Sequence, residues 1–96
     1  MTSNITPAYD TPCIIVATNS HVWIAKSVEF IGSSFVRGSH VRTIREWGST
    51  KGLNQLVDGP TQSTVLDAPA PILDVASIAV IAIIPVRAAA WEQHLK

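Results

Sequence analysis

The chain holds a single cysteine, Cys13, in 96 residues. One thiol cannot close an intramolecular disulfide, and without a Cys-x-x-Cys partner it cannot anchor a structural zinc site. Charge is scarce as well: lysine, arginine, aspartate and glutamate make up 15% of the chain, where about a quarter is usual in a soluble domain. Lysine plus arginine number 7 and aspartate plus glutamate number 7, so no net field steers the molecule toward nucleic acid or an anionic membrane. Long hydrophobic runs are missing. The most apolar stretch, "ILDVASIAVIAIIPV", is free of charge only from Val75 to Val86, well short of the roughly 20 residues a crossing helix needs. Asp74 and Arg87 bound it, and Pro85 interrupts it. The opening "MTSNITPAYDTP" has neither the basic nor the apolar region of a secretory signal. These absences predict a reduced, cytoplasmic chain that does not enter a membrane.

Chemistry-bearing patterns are equally thin. His21, His40 and His94 stand far apart, with no His-x-x-x-His spacing, so neither a metal site nor a cofactor is expected. Serine, histidine and aspartate are present, but nothing in their order or context selects a nucleophile and its base. No catalytic residue is assigned.

Hydrophobic residues make up 47% of the chain, which excludes a disordered polymer. The length allows one domain, assigned here to residues 13–96 behind a loose polar arm at 1–12 that carries Pro7 and Pro12. "CIIVA" at 13–17 is a short β-branched run closed by "TNS", and "NS" fits a hairpin turn. From Val22 to Phe30 the chain alternates. Val22, Ile24, Val28 and Phe30 share one face, and His21, Trp23, Ala25, Ser27 and Glu29 the other, which is the period of a half-buried strand. "GSS" at 32–34 reads as the next turn, Phe35–Arg37 as a short strand, and "GS" at 38–39 as a further turn. His40–Trp47 fits either a helix or a strand. Val41, Ile44 and Trp47 recur every three residues, but the composition and the upstream elements favour strand.

Residues 51–58 are the best internal helix, with Leu53, Leu56 and Val57 on one side, Ser49 or Thr50 as cap and Gly59-Pro60 as stop. Two turns are unstable alone, so those apolar residues must dock. "STVLDAPAP" gives a short strand broken by proline, and Ile72–Val75 and Ile78–Ile84 read as strands. The second of these is apolar on both faces, so both faces should be covered, in a central strand or at a subunit interface. The Ala-rich end after Pro85, about 87–95, is expected to be helical, with Trp91 and Leu95 on one face.

Two local clusters have functional readings. "REWGSTKGLNQLVDGP" places Gly48 and Gly52 around Ser49-Thr50-Lys51, which suggests an anion cradle assisted by Lys51. The order differs from a phosphate loop, however, and turn and cap chemistry accounts for the same residues. Arg37, Arg42, Arg45 and Lys51 beside Trp47 offer cations and a stacking surface for nucleic acid. One tryptophan on a neutral chain is a poor platform, so nucleic acid is the less favoured partner. The arginines are better matched to Asp58, Asp67 or Asp74 across an interface. Cys13, in an apolar strand, reads as a small buried hydrophobe.

Val41 to Trp91 resembles a family of small, functionally uncharacterised proteins of bacteriophages and other mobile genetic elements. The residues that carry the resemblance are "RTIREWGSTKGLNQL", "GPTQSTVLDAP", "IAIIPV" and Trp91. It covers about half the chain. It implies a small β-rich protein with one or two helices, and it brings no activity or catalytic residue.

Together these readings predict an α+β fold: a small, mostly antiparallel curved sheet of five to seven strands, a short internal helix and a C-terminal helix. Little charge on a small surface further predicts a homo-oligomer, with another protein as a further partner. Trp23, Ile78, Val80, Ile81, Ile83 and Trp91 are expected to supply the core and the interface. The expected function is that of a non-catalytic binding or adaptor protein. A small-molecule pocket at a subunit interface is an alternative.

Overall fold

The computed structural model describes residues 9–48 and 52–95, apart from the side chains of Ser20 and Leu53. Six strands form one sheet: β1 (Cys13–Ala17), β2 (His21–Ile31), β3 (Phe35–Glu46), β4 (Val65–Leu66), β5 (Ala70–Ala76) and β6 (Val80–Pro85). Every pairing among them is antiparallel. The order is β4-β3-β2-β1-β6, and β5 continues the β4 side of β3. The α element is one short helix, α1 (Ala88–Trp91), prolonged by a 3-10 turn at Glu92–His94. The fold is thus a mostly antiparallel sheet with a short C-terminal helix.

Local chemistry explains the connections. β1 and β2 are joined by a 3-10 turn at Thr18–Ser20 in which Asn19 takes φ 62°, a left-handed conformation that asparagine tolerates well. β2 and β3 are joined through Gly32, Ser33 and Ser34, and the Ser34 amide donates to the Ile31 carbonyl at 3.4 Å.

Residues 35–46 form one unbroken strand, which settles His40–Trp47 as extended up to Glu46 and corrects the turn expected at 38–39. Gly38 is buried in mid-strand and pairs with Val28 on one side and Leu73 on the other. A Cβ there would stand 2.9 Å from Val41 Cγ2 and 3.0 Å from the Ala25 Cβ. The glycine therefore serves close strand packing rather than a reversal. His40 has φ 54° within the strand, yet the register is the same on both sides of it, with Ser27 opposite Ser39 and Ala25 opposite Val41.

The internal helix expected at 51–58 is a 3-10 helix, Leu53–Asp58. Its proposed caps Ser49 and Thr50 lie outside the described residues. Of the arm assigned to 1–12, residues 1–8 also lie outside, whereas Tyr9 exchanges two backbone hydrogen bonds with Val28, at 2.8 and 3.0 Å. Pro12 is buried, and its carbonyl accepts from the Val86 amide at 2.9 Å.

Alternation along β1 divides the core in two. Ile14 packs with Val22, Ile24, Ile44, Leu56, Val86, Trp91 and Leu95, while Cys13 and Ile15 pack with Ala25, Val28, Val36 and Val41. The first cluster lies under the Leu53–Asp58 turn and the C-terminal helix. Trp91 joins them: its ring is fully buried, and its indole Nε1–H donates to the Leu56 carbonyl at 2.7 Å. Arg87 pairs with Asp58, and the Arg87 amide donates to the Val57 carbonyl at 2.9 Å, which adds a second tie between the same segments.

Candidate functional site

The basic segment carries the cations that an anionic ligand needs, and the chain engages its arginines itself. Arg37 makes a two-pronged contact with Asp74, Nε–Oδ1 2.7 Å and Nη2–Oδ2 3.0 Å. That hydrogen bond holds the Asp74 carboxyl below its ordinary range, and with the aspartate charge it pushes the arginine further up. Arg42 donates to the backbone carbonyls of Asp67, at 2.7 Å, and His94, at 3.1 Å. Arg45 reaches Asp67 Oδ1 at 2.6 Å. Asp67 and Asp74, two of the carboxylates expected as partners across an interface, are thus partners within one chain, while Asp58 pairs with Arg87 instead. Trp47 is exposed at the end of β3, and Lys51 lies outside the described residues.

The loop after Trp47 is held by hydroxyl groups. Thr61 Oγ1 donates to the Gly48 carbonyl at 2.6 Å, and Thr64 Oγ1 donates to the Trp47 carbonyl. Gly48 takes φ 66°, and a Cβ there would fall 2.2 Å from the Ser63 carbonyl carbon. Gly48→Ala is expected to cost about 2–4 kcal/mol, from left-handed strain and backbone overlap together. Urea denaturation checks this, and a loss under 1 kcal/mol would mean that the loop rearranges freely.

The remaining reactive groups are dispersed. Cys13 is fully buried, and burial pushes its thiol up to about 11, so it carries almost no thiolate at neutral pH. His21 lies against Trp23, with ring centroids 5.7 Å apart, and His94 lies edge-on to Trp91 at 5.9 Å. The buried Nε2 of His40 has no hydrogen-bond partner among the described residues. Among the described residues no group of three His, Cys, Asp or Glu gathers that could hold a metal ion. No helix among them is long and apolar enough to cross a membrane.

The feature that stands out is one end of the sheet, where β2 and β5 finish and β3 and β6 begin. A backbone hydrogen bond from Ser77 to the Ser34 carbonyl, 2.8 Å, ties the β5–β6 connection to the β2–β3 turn. Between them lies a groove of about 410 Å³ lined by Phe30, Gly32, Ser33, Val36, Ser77, Val80 and Ile83. Its rim is apolar and open. Ile78 is 95% exposed and Ile81 67%. No charged residue occurs in 30–36 or 75–86. A second cavity, of about 480 Å³, lies beside the C-terminal helix and has a mixed lining that includes Asp10, Lys26 and Glu92.

Of the six residues expected at the core and interface, the structure brings four to this end. Val80 and Ile83 line the groove, and Ile78 and Ile81 stand exposed beside it. Trp23 is half-buried against the second core cluster. Trp91 is not available to an interface, because its own chain encloses it completely. β6 is an edge strand, which rules out the central-strand alternative for its two apolar faces: it pairs with β1, and no strand covers its outer side among the described residues. Sequence reasoning missed Phe30 and Val36, although the apolar, charge-free flanks of "GSS" were a readable signal. No protein-family model, curated protein or solved structure matches this chain.

Proposed function

We propose that this chain is a non-catalytic, homo-oligomeric binding or adaptor protein of a mobile element, and that it works through the charge-free end of its sheet. The observation that carries this reading is the exposure of Ile78 and Ile81 next to an apolar groove. Large apolar side chains clustered on an open surface mark association sites in soluble proteins. The mobile-element origin rests on the resemblance of Val41–Trp91. Two further observations agree with a binding role. The one thiol is protonated and enclosed, and the arginines of the basic segment are engaged by carboxylates and carbonyls of their own chain.

The mass in solution tests the proposal. Sedimentation velocity over a wide concentration range should give a particle heavier than the 10.3 kDa chain, and a strict monomer at high concentration defeats it. Binding to single-stranded and duplex DNA should be weak. Tight binding that falls steeply as salt rises would instead favour a nucleic-acid role for the basic segment.

A further inference from the structure

We infer that the partner of the charge-free end is a second copy of this chain, docked so that Ile78 of each copy enters the groove of the other. The inference rests on the homo-oligomeric reading above and specifies its contact. Ser77 and Val80 line the groove while Ile78, between them in sequence, stands almost wholly in solvent. Knob and socket are thus adjacent on one surface, as a twofold interface requires: residue i of one copy meets site j of the other, and the reverse.

Three observations select this occupant and this mode. The first is charge. The absence of charge over 30–36 and 75–86 means that two copies meet here without like-charge repulsion, whereas a charged partner finds no complement. The second is the state of the free edges. β6 slips register against β1, with Val16 opposite Ala82 and Ala17 opposite Val80, so Ile81 is left unpaired, and Pro85 ends the strand. β5, the opposite edge, carries Pro71. Bulges and prolines are how natural sheets discourage strand-to-strand pairing, so the contact runs through side chains. The third is area. A specific interface takes at least about 1,000 Å² in total, or about 500 Å² per copy. From a chain surface of 5713 Å² that is roughly a tenth. Ile78 and Ile81, with Val80 and Ile83 of the groove wall, form its apolar centre, and the serines of the two turns its polar margin.

Sedimentation equilibrium on the full chain tests the contact, comparing wild type with Ile78→Asp and Ser33→Arg. Ile78 is solvent-exposed, so its replacement leaves folding intact, which circular dichroism verifies. Ser33→Arg blocks the groove and leaves Ile78 in place. Wild type should dimerise. Each variant should raise the dissociation constant roughly a hundredfold or more, because every substitution enters the interface twice. Mixing Ile78→Cys with Ser33→Cys chains under mild oxidation should yield the mixed disulfide dimer, since Cys13 is enclosed. If wild type dimerises and both variants do so equally well, the groove contact is wrong and the homo-oligomeric reading survives. A wild type that stays monomeric overturns both.

Discussion

Trp91→Ala should remove about 3–5 kcal/mol of stability, a large share of the roughly 5–14 kcal/mol available to a domain of this length. The side chain has no exposed surface and packs in the cluster formed by Ile14, Ile24, Leu56 and Leu95. Its loss opens a cavity between the C-terminal helix and the Leu53–Asp58 turn, and neither element is long enough to persist unaided. Trp91→Phe separates packing from hydrogen bonding. It keeps most of the apolar contact and removes the indole donor from the Leu56 carbonyl, which still accepts from the Gly59 amide at 3.0 Å, at a cost of about 0.5–1.5 kcal/mol. Urea midpoints followed by circular dichroism should therefore rank wild type above Trp91→Phe, and Trp91→Phe above Trp91→Ala. Equal losses in the two variants would mean that the indole N–H, not the bulk of the ring, dominates. A negligible loss in both would refute the bridging role.

The parts of this fold that were legible in the sequence are those governed by short-range periodicity. "CIIVA" and Val22 to Phe30 are strands because β-branched side chains suit a pleated surface, and the pairing of Cys13–Ala17 with His21–Ala25 follows from the short turn between them. The single face expected for Val22, Ile24, Val28 and Phe30 is not kept, since Val22 and Ile24 pack in the first cluster whereas Val28 and Phe30 pack with Ala25 in the second. Gly38-Ser39 was illegible for a physical reason. Glycine both reverses chains and admits close neighbours, and only the three-dimensional approach of Ala25 and Val41 distinguishes the two uses. The Leu53–Asp58 segment shows helical spacing, but it lies between Gly52 and Gly59, both at positive φ, and so short a segment settles into tighter 3-10 turns.

The candidate site was half legible. Ile78 to Ile83 could be seen as surplus apolar surface from composition alone. Their convergence with Phe30 and Val36 depends on how β5 and β6 are joined. β5 lies on one edge of the sheet and β6 on the other, yet only Ser77–Ala79 separates them. Four Cα steps reach at most about 14 Å, so the two edges approach at this end and bring the 32–34 turn against the connection. That is a topological fact, and no local pattern encodes it. The arginines show the converse: their carboxylate partners were readable as residue types, but not as neighbours within one chain.

Ile14 and Ile15 provide the sharpest test of the two-sided core, because they are adjacent in sequence and fully buried in different clusters. Each truncation to alanine should cost about 2–5 kcal/mol. Ile14→Ala loosens the cluster under the C-terminal helix. Ile15→Ala loosens the one shared with Val28, Val36 and Val41 and faced by Val80 and Ile83. The two residues are neighbours on one strand, so their losses need not add, and the double variant should be largely unfolded at room temperature. Their effects on association should differ. Ile15 packs behind Val80 and Ile83, which line the groove, so Ile15→Ala should weaken self-association of the folded fraction while Ile14→Ala leaves it unchanged. Denaturation curves and sedimentation of the two single variants read both properties. The same change in association for both variants would instead remove the structural basis for treating the groove as a separate working surface.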